Sequence, residues 1–504
     1  MTTGEAGRTL FGSLALALGS TANTILGLVL FIFLARLISQ VEMGVYASLL
    51  LVMSLFQAIG PLGLQIAAAR FIPKALGERR RDHVSKYVTS ILVVSSISAL
   101  VSSAGLFFLA APFSLFLTKS ADNSSLFALA SLAVFLNTLN VNLDAVMQGF
   151  QSFGKLAAVR VSAQLLRVAI SILLLLNGYA LTSIVWGFVA TNACSVLLFL
   201  YFVREYIGRT PERTATAALL KYSGPILLSN ITSFLSAQSD LLVLLVLTVP
   251  VFAGIYNVAL TVAGLLGLIL ITPLSAAVQP AAAKLFGSSG NRALESALKR
   301  TSRYLAFAHV PAAVGLAALG GTAVNIMAGR SYLDAAVPLS IVAIAMIASG
   351  LCIIPIIALQ TVGDTRSVLG LTLSSVAVGL AVDTALIPRF AVTGAAIGRA
   401  ALMVSALIAG LYLARKRLNL SYDLQALGKS SVASAIMGVV LAMMQARLGY
   451  APQNALLYVP TGIAIFLAIM RIQHAIRPED IDLLLRILPT RFRSVSKLVL
   501  WIAG

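Results

Sequence analysis

Long apolar segments, separated by short polar breaks, run through the entire sequence. Most of them exceed about 18 residues, the length at which one helix crosses a hydrocarbon core of roughly 30 Å. They lack the alternating polarity of membrane β-strands, so each segment is predicted to be helical. The pattern predicts an all-α polytopic membrane protein with fourteen transmembrane helices, near residues 10–38, 43–73, 87–117, 123–149, 155–176, 181–203, 221–248, 252–281, 303–328, 335–361, 366–388, 391–414, 430–446 and 453–472.

The composition agrees with a chain that lies mostly in lipid. Of its 504 residues, 59% are hydrophobic and 11% are charged, whereas about a quarter of an ordinary soluble chain is charged. The net charge of +19 comes from short basic runs between apolar segments, and this arrangement argues against a nucleic-acid-binding face. The only two cysteines, Cys194 and Cys352, lie inside apolar segments, so we expect no disulfide framework, no metal site and no cofactor.

The basic residues are distributed very unevenly between the two sides of the predicted spans. With the N-terminus inside, 28 of the 36 Lys and Arg residues fall on the inner side and five fall outside. Because basic residues accumulate in cytoplasmic loops, both termini are predicted to be cytoplasmic in a multi-pass plasma-membrane protein. A miscounted span would have put the basic loops out of phase, so this asymmetry also supports an even number of spans.

The chain resembles itself at a shift of about 210 residues. Four short matches occur in the same order in both copies, each at a helix end or in a loop. They pair Gly44-Val45-Tyr46 with Gly254-Ile255-Tyr256, Lys74-Ala75-Leu76-Gly77 with Lys284-Leu285-Phe286-Gly287, Met147-Gln148 with Leu359-Gln360, and Ala180-Leu181-Thr182 with Ala391-Val392-Thr393.

This repeat predicts the domain organisation. Both halves begin inside and hold six spans, which indicates a parallel duplication about an axis along the membrane normal. We therefore predict two pseudo-symmetric six-helix bundles at 1–210 and 211–418, and an added pair of transmembrane helices, the thirteenth and fourteenth, at 419–475. Residues 476–504 combine Leu and Ile with spaced basic residues, which predicts a cytoplasmic amphipathic tail.

A further set of short motifs at helix ends and loops follows one order along nearly the whole chain. They are Leu34-Ala35-Arg36-Leu37, Gly63-Leu64 ahead of Arg70-Phe71, Gly149, Gly154-Lys155, Tyr222-Ser223-Gly224-Pro225, Asp240, Gly254-Ile255-Tyr256-Asn257-Val258-Ala259, Gly363-Asp364-Thr365-Arg366 and Gly394-Ala395-Ala396-Ile397. In this order, and with fourteen spans, the chain resembles the oligosaccharide flippase family of the multidrug/oligosaccharidyl-lipid/polysaccharide (MOP) exporter superfamily.

That resemblance implies a transporter of V-shaped architecture. Its implied cargo is a polyprenyl-phosphate-linked oligosaccharide, moved from the cytoplasmic to the outer leaflet by alternating access. The implied partners are this substrate, membrane lipids, a coupling H⁺ or Na⁺, and other polysaccharide assembly proteins. A drug or metabolite exporter and a peptidoglycan-precursor flippase of the same superfamily remain alternatives. A membrane glycosyltransferase is disfavoured, because no loop exceeds about 20 residues and an enzyme of that class needs a larger polar loop.

The fifth predicted span carries a polar stripe. Arg160, Gln164, Arg167 and Ser171 are spaced i, i+4, i+7 and i+11, which places all four on one helical face. A charge at the bilayer centre costs about 2.5 to 3.5 kcal/mol on insertion scales and tends to face an interior or a watery cavity. A guanidinium also suits phosphate, so Arg167 is a candidate contact for the lipid pyrophosphate. The alternative is a structural cation satisfied by backbone carbonyls or by Asp144.

The fourth predicted span adds a second polar face with Asn137, Asn140, Asp144 and Gln148. Asp144 and Arg160 lie at similar depth on neighbouring spans, so we expect them to form an ion pair. The residues of these two faces are the predicted lining of a substrate cavity.

The seventh predicted span and the first add further candidates. Asn230 and Ser233 align through the repeat with Ser20 and Asn23, and these positions could line the same cavity. Asp240 is the candidate for an ion-coupling site, because a partly buried carboxylate can titrate near neutral pH.

One more pair of opposite charges lies in the second half. Asp383 and Arg399 flank the turn between the eleventh and twelfth spans. At comparable depth in two adjacent spans, they are predicted to form a structural pair.

Overall fold

The computed structural model describes the backbone of residues 3–208 and 210–475, and side chains from residue 19 onward. These residues form α-helices joined by short turns and contain no β-strand, so the predicted all-α fold is confirmed. They divide into two compact units, which fall within Met1–Gly254 and Ile255–Gly504. The predicted tail at 476–504 lies outside the described residues.

Twelve helical segments of the described chain are long and apolar enough to cross a membrane. Two of them, Pro250–Ala318 and Thr365–Leu418, have 69 and 54 residues, whereas about 20 residues suffice for one crossing. The backbone of each leaves helical geometry once, at Gly290 and at Ala391. Each therefore has enough residues for two crossings, and the total of fourteen stays a prediction.

The first unit contains nine helices among its described residues. Most breaks between them contain glycine or polar residues, as at Gly63, whose left-handed backbone precedes α3. The helices are α1 (Thr3–Leu37), α2 (Gln40–Ile59), α3 (Leu64–Gly77), α4 (Arg81–Phe108), α5 (Ala110–Phe113), α6 (Ser124–Gly149), α7 (Phe153–Leu176), α8 (Thr182–Val203) and α9 (Arg213–Leu247).

Helix α7 is held between α1 and α8. It runs parallel to α1, because Gly19 faces Ala157 and Gly27 faces Gln164 in the same order along both helices. It runs antiparallel to α8, where the Thr191 hydroxyl donates to the carbonyl of Ala163 at 3.2 Å. The polar face of α7 is consequently built into the helix bundle of this unit.

The start of α2 packs closely against the segment at the end of the first unit. A β-carbon at Gly44 would overlap the carbonyl of Pro250, and one at Gly254 would overlap the carbonyl of Gln40. The repeat aligns Gly44 with Gly254 and Gln40 with Pro250, so the two contacts are reciprocal. Such self-complementary contacts are typical of two-fold symmetry, and they support the internal duplication. The predicted domain boundary at residue 210 stays a prediction.

The second unit contains the remaining helices of the described chain. They are α10 (Pro250–Leu266), which begins in the first unit and enters the second after Gly254, α11 (Thr272–Ala318), α12 (Gly320–Ala328), α13 (Ala336–Thr361), α14 (Thr365–Leu418), α15 (Leu424–Leu448) and α16 (Ala455–Ile472). Between α10 and α11 the helical backbone continues as a short π-helix, Gly267–Ile271.

Helix α14 is a hairpin that reverses at Ala391. Contacts occur between positions whose distances from that residue along the chain differ by one, as between Gly398 and Asp383 and between Gly379 and Leu402. At the open end, Arg417 Nε lies 3.2 Å from Asp364 Oδ2. The two arms are therefore antiparallel over their whole length, as the predicted eleventh and twelfth spans require.

Candidate functional site

The predicted cavity residues of the fourth and fifth spans lie on α6 and α7. Helix periodicity puts the α7 residues on one face, and the packing of α1, α6 and α8 decides what each of them meets. All four helices lie within the first unit, so the site is assembled inside that unit.

Arg160 and Asp144 form a bidentate ion pair between α7 and α6. Arg160 Nε donates to Asp144 Oδ1 at 2.8 Å, and a terminal nitrogen donates to Oδ2 at 2.7 Å. Gln148 Nε2 donates to the same carboxylate at 2.7 Å. The side chain of Arg160 is 34% exposed and that of Asp144 is 16% exposed. The predicted ion pair is confirmed, and it neutralises both charges.

Arg167 has different surroundings. Its guanidinium carbon lies 3.8 Å from the centre of the Phe188 ring on α8, a cation–π contact. Its Nε is buried and has no hydrogen-bond partner. Among the described residues no carboxylate pairs with Arg167, and Asp144 is occupied by Arg160. Tyr46 of α2 lies within electrostatic reach. Pairing with Asp144, one form of the expected structural role of Arg167, is therefore not what the structure shows.

A chain of amide hydrogen bonds joins α6 to α8 near Phe188. Asn140 Nδ2 donates to Asn192 Oδ1 at 2.9 Å, and Asn192 Nδ2 donates to the carbonyl of Phe188 at 2.9 Å. The Oδ1 of Asn140 is buried without a partner. This chain connects α6 to the same residue whose ring stacks on Arg167.

Several other predicted cavity residues have polar atoms that the protein does not satisfy. The Oδ1 of Asn23 and the Oγ of Ser171 are buried and lack hydrogen-bond partners. Asn137, Gln164 and Asn230 are half-buried, and nothing in the described chain accepts or donates a side-chain hydrogen bond to them. Because buried polar groups are normally hydrogen-bonded, the unsatisfied atoms of Asn23 and Ser171 indicate positions suited to water or a polar ligand.

A glycine on α8 makes room for the polar face of α7. A β-carbon at Gly187 would overlap the hydroxyl of Ser171 and would lie 3.4 Å from Cγ of Arg167. Any larger residue would push α8 away from α7, and Phe188 with it. Gly187 thus sets how closely the ring approaches the guanidinium.

The remaining predicted residues lie elsewhere. Asp240 on α9 is buried, at 2% exposure. In the second unit, Asp383 and Arg399 are buried at 1% and 9% on the two arms of the α14 hairpin, and their pairing stays a prediction. No cluster of three metal-ligating side chains occurs in the part of the chain that the structure describes.

Sequence reasoning missed the contribution of α8 and α2 to this region. Phe188 and Asn192 are spaced i, i+4 on α8, a pattern that places a ring and an amide on one face. That spacing was a usable signal, although an apolar ring in an apolar span is more often packing. Tyr46 gave no signal beyond its place in the repeat.

Two carboxylates outside the spans have lowered pKa values. The pKa of Glu212 is below its ordinary value mainly because the Thr214 hydroxyl donates a hydrogen bond to the carboxylate, and Lys86 donates a second one with a smaller effect. The pKa of Asp364 is lowered mainly by the Ser367 hydroxyl and backbone N–H, with Arg417 adding a smaller effect. Both groups connect helix ends and lie away from the polar region of α7.

A model of the family described as "Polysaccharide biosynthesis protein" matches residues 33–338, more than half of the chain. The chain belongs to this family. The result confirms the family predicted from the order of the motifs. Direct comparison with curated protein sequences gives no significant match for this family member.

Solved structures show the fold of this polysaccharide biosynthesis protein. The lipid II flippase MurJ in an inward closed conformation matches at a TM-score of 0.74 with 15% identity, over 91% of this chain and 98% of MurJ. An inward-facing MATE multidrug resistance transporter matches at 0.66 with 16% identity, over 79% and 94%. A MOP superfamily transporter from Pyrococcus furiosus matches at 0.58 with 15% identity, over 82% and 95%. The protein therefore has the MOP transporter fold.

Proposed function

We propose that this protein moves a polyprenyl-phosphate-linked oligosaccharide across the membrane, from the cytoplasmic to the outer leaflet, by alternating access. The observation that carries the proposal is the half-buried guanidinium of Arg167, which has no carboxylate partner in the described chain. A cation in a membrane helix is costly unless it has a partner or a function. Family membership in polysaccharide biosynthesis supports a glycan-bearing cargo.

The chemistry around Arg167 suits such a cargo. The guanidinium presents a planar set of donors that matches phosphate, and the ring of Phe188 holds that plane from one face. The nearby amides of Asn140 and Gln164 can donate to or accept from sugar hydroxyl groups. Arg160 contributes less attraction for an anion, because Asp144 already neutralises it.

The test replaces Arg167 in cells that depend on this protein for glycan export. Loss of a charge-assisted hydrogen bond in Arg167→Gln should reduce export by roughly ten- to hundredfold at equal protein level. Arg167→Lys should retain part of the activity, because it keeps the charge and loses the fork. Arg389→Gln, at an exposed position, is the control for removing one positive charge.

The accompanying readout is the lipid-linked oligosaccharide itself. We expect it to accumulate on the cytoplasmic side in the Arg167→Gln strain and to remain at the parental level in the Arg389→Gln strain. Normal export by Arg167→Gln at a normal protein level would remove the role proposed for this residue.

We further propose that transport is coupled to H⁺ or Na⁺ at Asp240. The carboxyl group is buried in a membrane-length helix, where binding of a proton or cation changes its charge. Transport by Asp240→Asn should lose its dependence on pH or sodium. An unchanged dependence in that variant would assign the coupling to another residue.

The membrane orientation is part of the same proposal. The distribution of Lys and Arg supports two cytoplasmic termini in the plasma membrane. Single cysteines placed near Lys119 and near Lys416 should react with an impermeant thiol reagent from opposite sides of the membrane, Lys119 from outside. The reverse pattern would invert the proposed topology.

A peptidoglycan-precursor flippase is the second candidate. The fold of MurJ extends over 91% of this chain, and a pyrophosphate-linked lipid would also suit Arg167. Complementation of a strain depleted of its lipid II flippase separates the two candidates. Growth of that strain on this protein would favour the precursor, and glycan export without such growth would favour the oligosaccharide.

A further inference from the structure

A basic face of α11 lines a polar cavity in the second unit. Ser296, Lys299, Arg300 and Arg303 are spaced i, i+3, i+4 and i+7, which puts them on one side of the helix. With Tyr422 to Gln425 opposite, they enclose about 530 Å³. Three positive charges face one carboxylate there, so the cavity is suited to an anion.

The shape of this cavity is fixed by contacts beneath it. Arg303 NH1 lies 4.0 Å from Asp423 Oδ2, and both side chains are buried. The backbone N–H of Asp423 donates to the hydroxyl of Ser302 at 3.2 Å, and its carboxylate caps α15 by accepting from Ala426 N. Lys299 and Arg300 are exposed and remain available at the mouth.

An apolar surface begins at the rim of the cavity. Leu424 is 66% exposed and lines the cavity where the membrane-length helix α15 begins. Exposed apolar residues continue from it along the same face of α15. They are Val432, Ile436, Val439 and Met443, at 51%, 45%, 61% and 56% exposure.

The opposite face of α15 is covered by α11. The hydroxyl of Ser430 donates to the carbonyl of Ala306 at 2.7 Å, and Gly438 lies against Val314. The exposed stripe therefore points away from α11. A ligand that occupies both features needs an anionic head and a long apolar chain.

We propose that this cavity binds an anionic phospholipid of the cytoplasmic leaflet. The phosphate lies beside Lys299 and Arg300, and an acyl chain follows the stripe from Leu424 toward Val432. Basic pockets on the predicted cytoplasmic side suit anionic headgroups. A soluble phosphate compound would match the charges alone, whereas a phospholipid also extends along the apolar face that a membrane-length helix presents to hydrocarbon. The site lies in the second unit, and its role does not depend on which cargo is transported.

Native mass spectrometry of the full-length protein in detergent tests this site. The probes are phosphatidylglycerol, the zwitterionic phosphatidylcholine, and glycerol phosphate as the soluble anion. The variant is Lys299→Gln with Arg300→Gln. The matched control is Lys284→Gln with Arg292→Gln, which removes two exposed charges from the same helix outside the cavity.

The double variant Lys299→Gln/Arg300→Gln should bind phosphatidylglycerol roughly twentyfold more weakly, and the control should change by less than about twofold. Wild-type protein should prefer phosphatidylglycerol to phosphatidylcholine and bind glycerol phosphate weakly. Equal losses in both double variants would show general charge attraction and overturn the site. Tight binding of glycerol phosphate would reassign the cavity to a soluble anion.

A single substitution at the rim provides an independent measurement if the double variant does not fold. Leu424→Gln keeps every charge and interrupts the start of the apolar stripe. It should weaken phosphatidylglycerol binding and leave glycerol phosphate binding unchanged. Unaltered lipid binding in this variant would contradict the proposed path of the acyl chain.

Discussion

Ala180 and Ala391 stand 211 positions apart, and both have positive φ, 40° and 45°. Ala180 lies in the turn between α7 and α8, and Ala391 lies where the α14 hairpin reverses. Only a few per cent of non-glycine residues have positive φ. A positive φ at alanine therefore recurs at positions that the sequence repeat aligns, which supports duplication of a helical hairpin.

Glycine at either position should stabilise the protein. Ala391→Gly and Ala180→Gly remove the β-carbon that positive φ disfavours, and each should raise the free energy of unfolding by about 1 kcal/mol. Ala381→Gly, at an exposed helical position of α14, should lower it by about 0.5 to 1 kcal/mol. Thermal unfolding in detergent measures all three, and a loss of stability at Ala391 comparable to that at Ala381 would contradict the prediction.

The reciprocal contacts of Gly44 and Gly254 predict that alanine is not tolerated at either position. Gly44→Ala and Gly254→Ala would each place a β-carbon against a backbone carbonyl, which cannot move as a flexible side chain does. Each should destabilise the protein by about 1 to 3 kcal/mol. Gly264→Ala in α10 meets nothing within 4 Å and should be neutral or stabilising, since alanine is the better helix former. Thermal unfolding of the purified variants makes the comparison.

The Arg160–Asp144 pair predicts a strong coupling between two substitutions. Arg160→Gln alone leaves a carboxylate without its cation, and Asp144→Asn alone leaves the reverse, so each should cost about 1 to 3 kcal/mol. The double variant should cost less than the sum, because neither charge is left alone. A double-mutant cycle on thermal unfolding measures this coupling, and strictly additive effects would show that the pair contributes nothing specific.

The Asp364–Ser367–Arg417 cluster predicts a dependence of stability on pH. Because the pKa of Asp364 is lowered on folding, its ionised form stabilises the folded state above the ordinary pKa. This contribution is lost as pH falls through the lowered value. Asp364→Asn should still cap α14 but lack the charge, so wild type should be the more stable at pH 7. The difference should shrink below about pH 4, as followed by unfolding at several pH values.

Family, fold class and the Arg160–Asp144 pair could all be predicted before any coordinates. The pair was predictable because helix periodicity and depth leave few possible neighbours for two opposite charges in adjacent spans. Helix periodicity and depth could not predict which side chains surround Arg167. The Phe188 ring stacks on its guanidinium where Gly187 lets α8 pack closely against α7, and the order of residues along the chain does not show which helix packs there.

The sequence by itself determined that this chain is a bundle of membrane helices, and it predicted a duplicated origin. Span length, basic loops and repeated motifs are properties of the linear chain, and lipid requires every backbone polar group in a span to be bonded within its helix. The tertiary structure decided what surrounds Arg167, because the close packing of α8 on α7 at Gly187 sets the Phe188 ring against its guanidinium. Asp144 is already held by Arg160 in a bidentate geometry, so no carboxylate of the described residues pairs with Arg167.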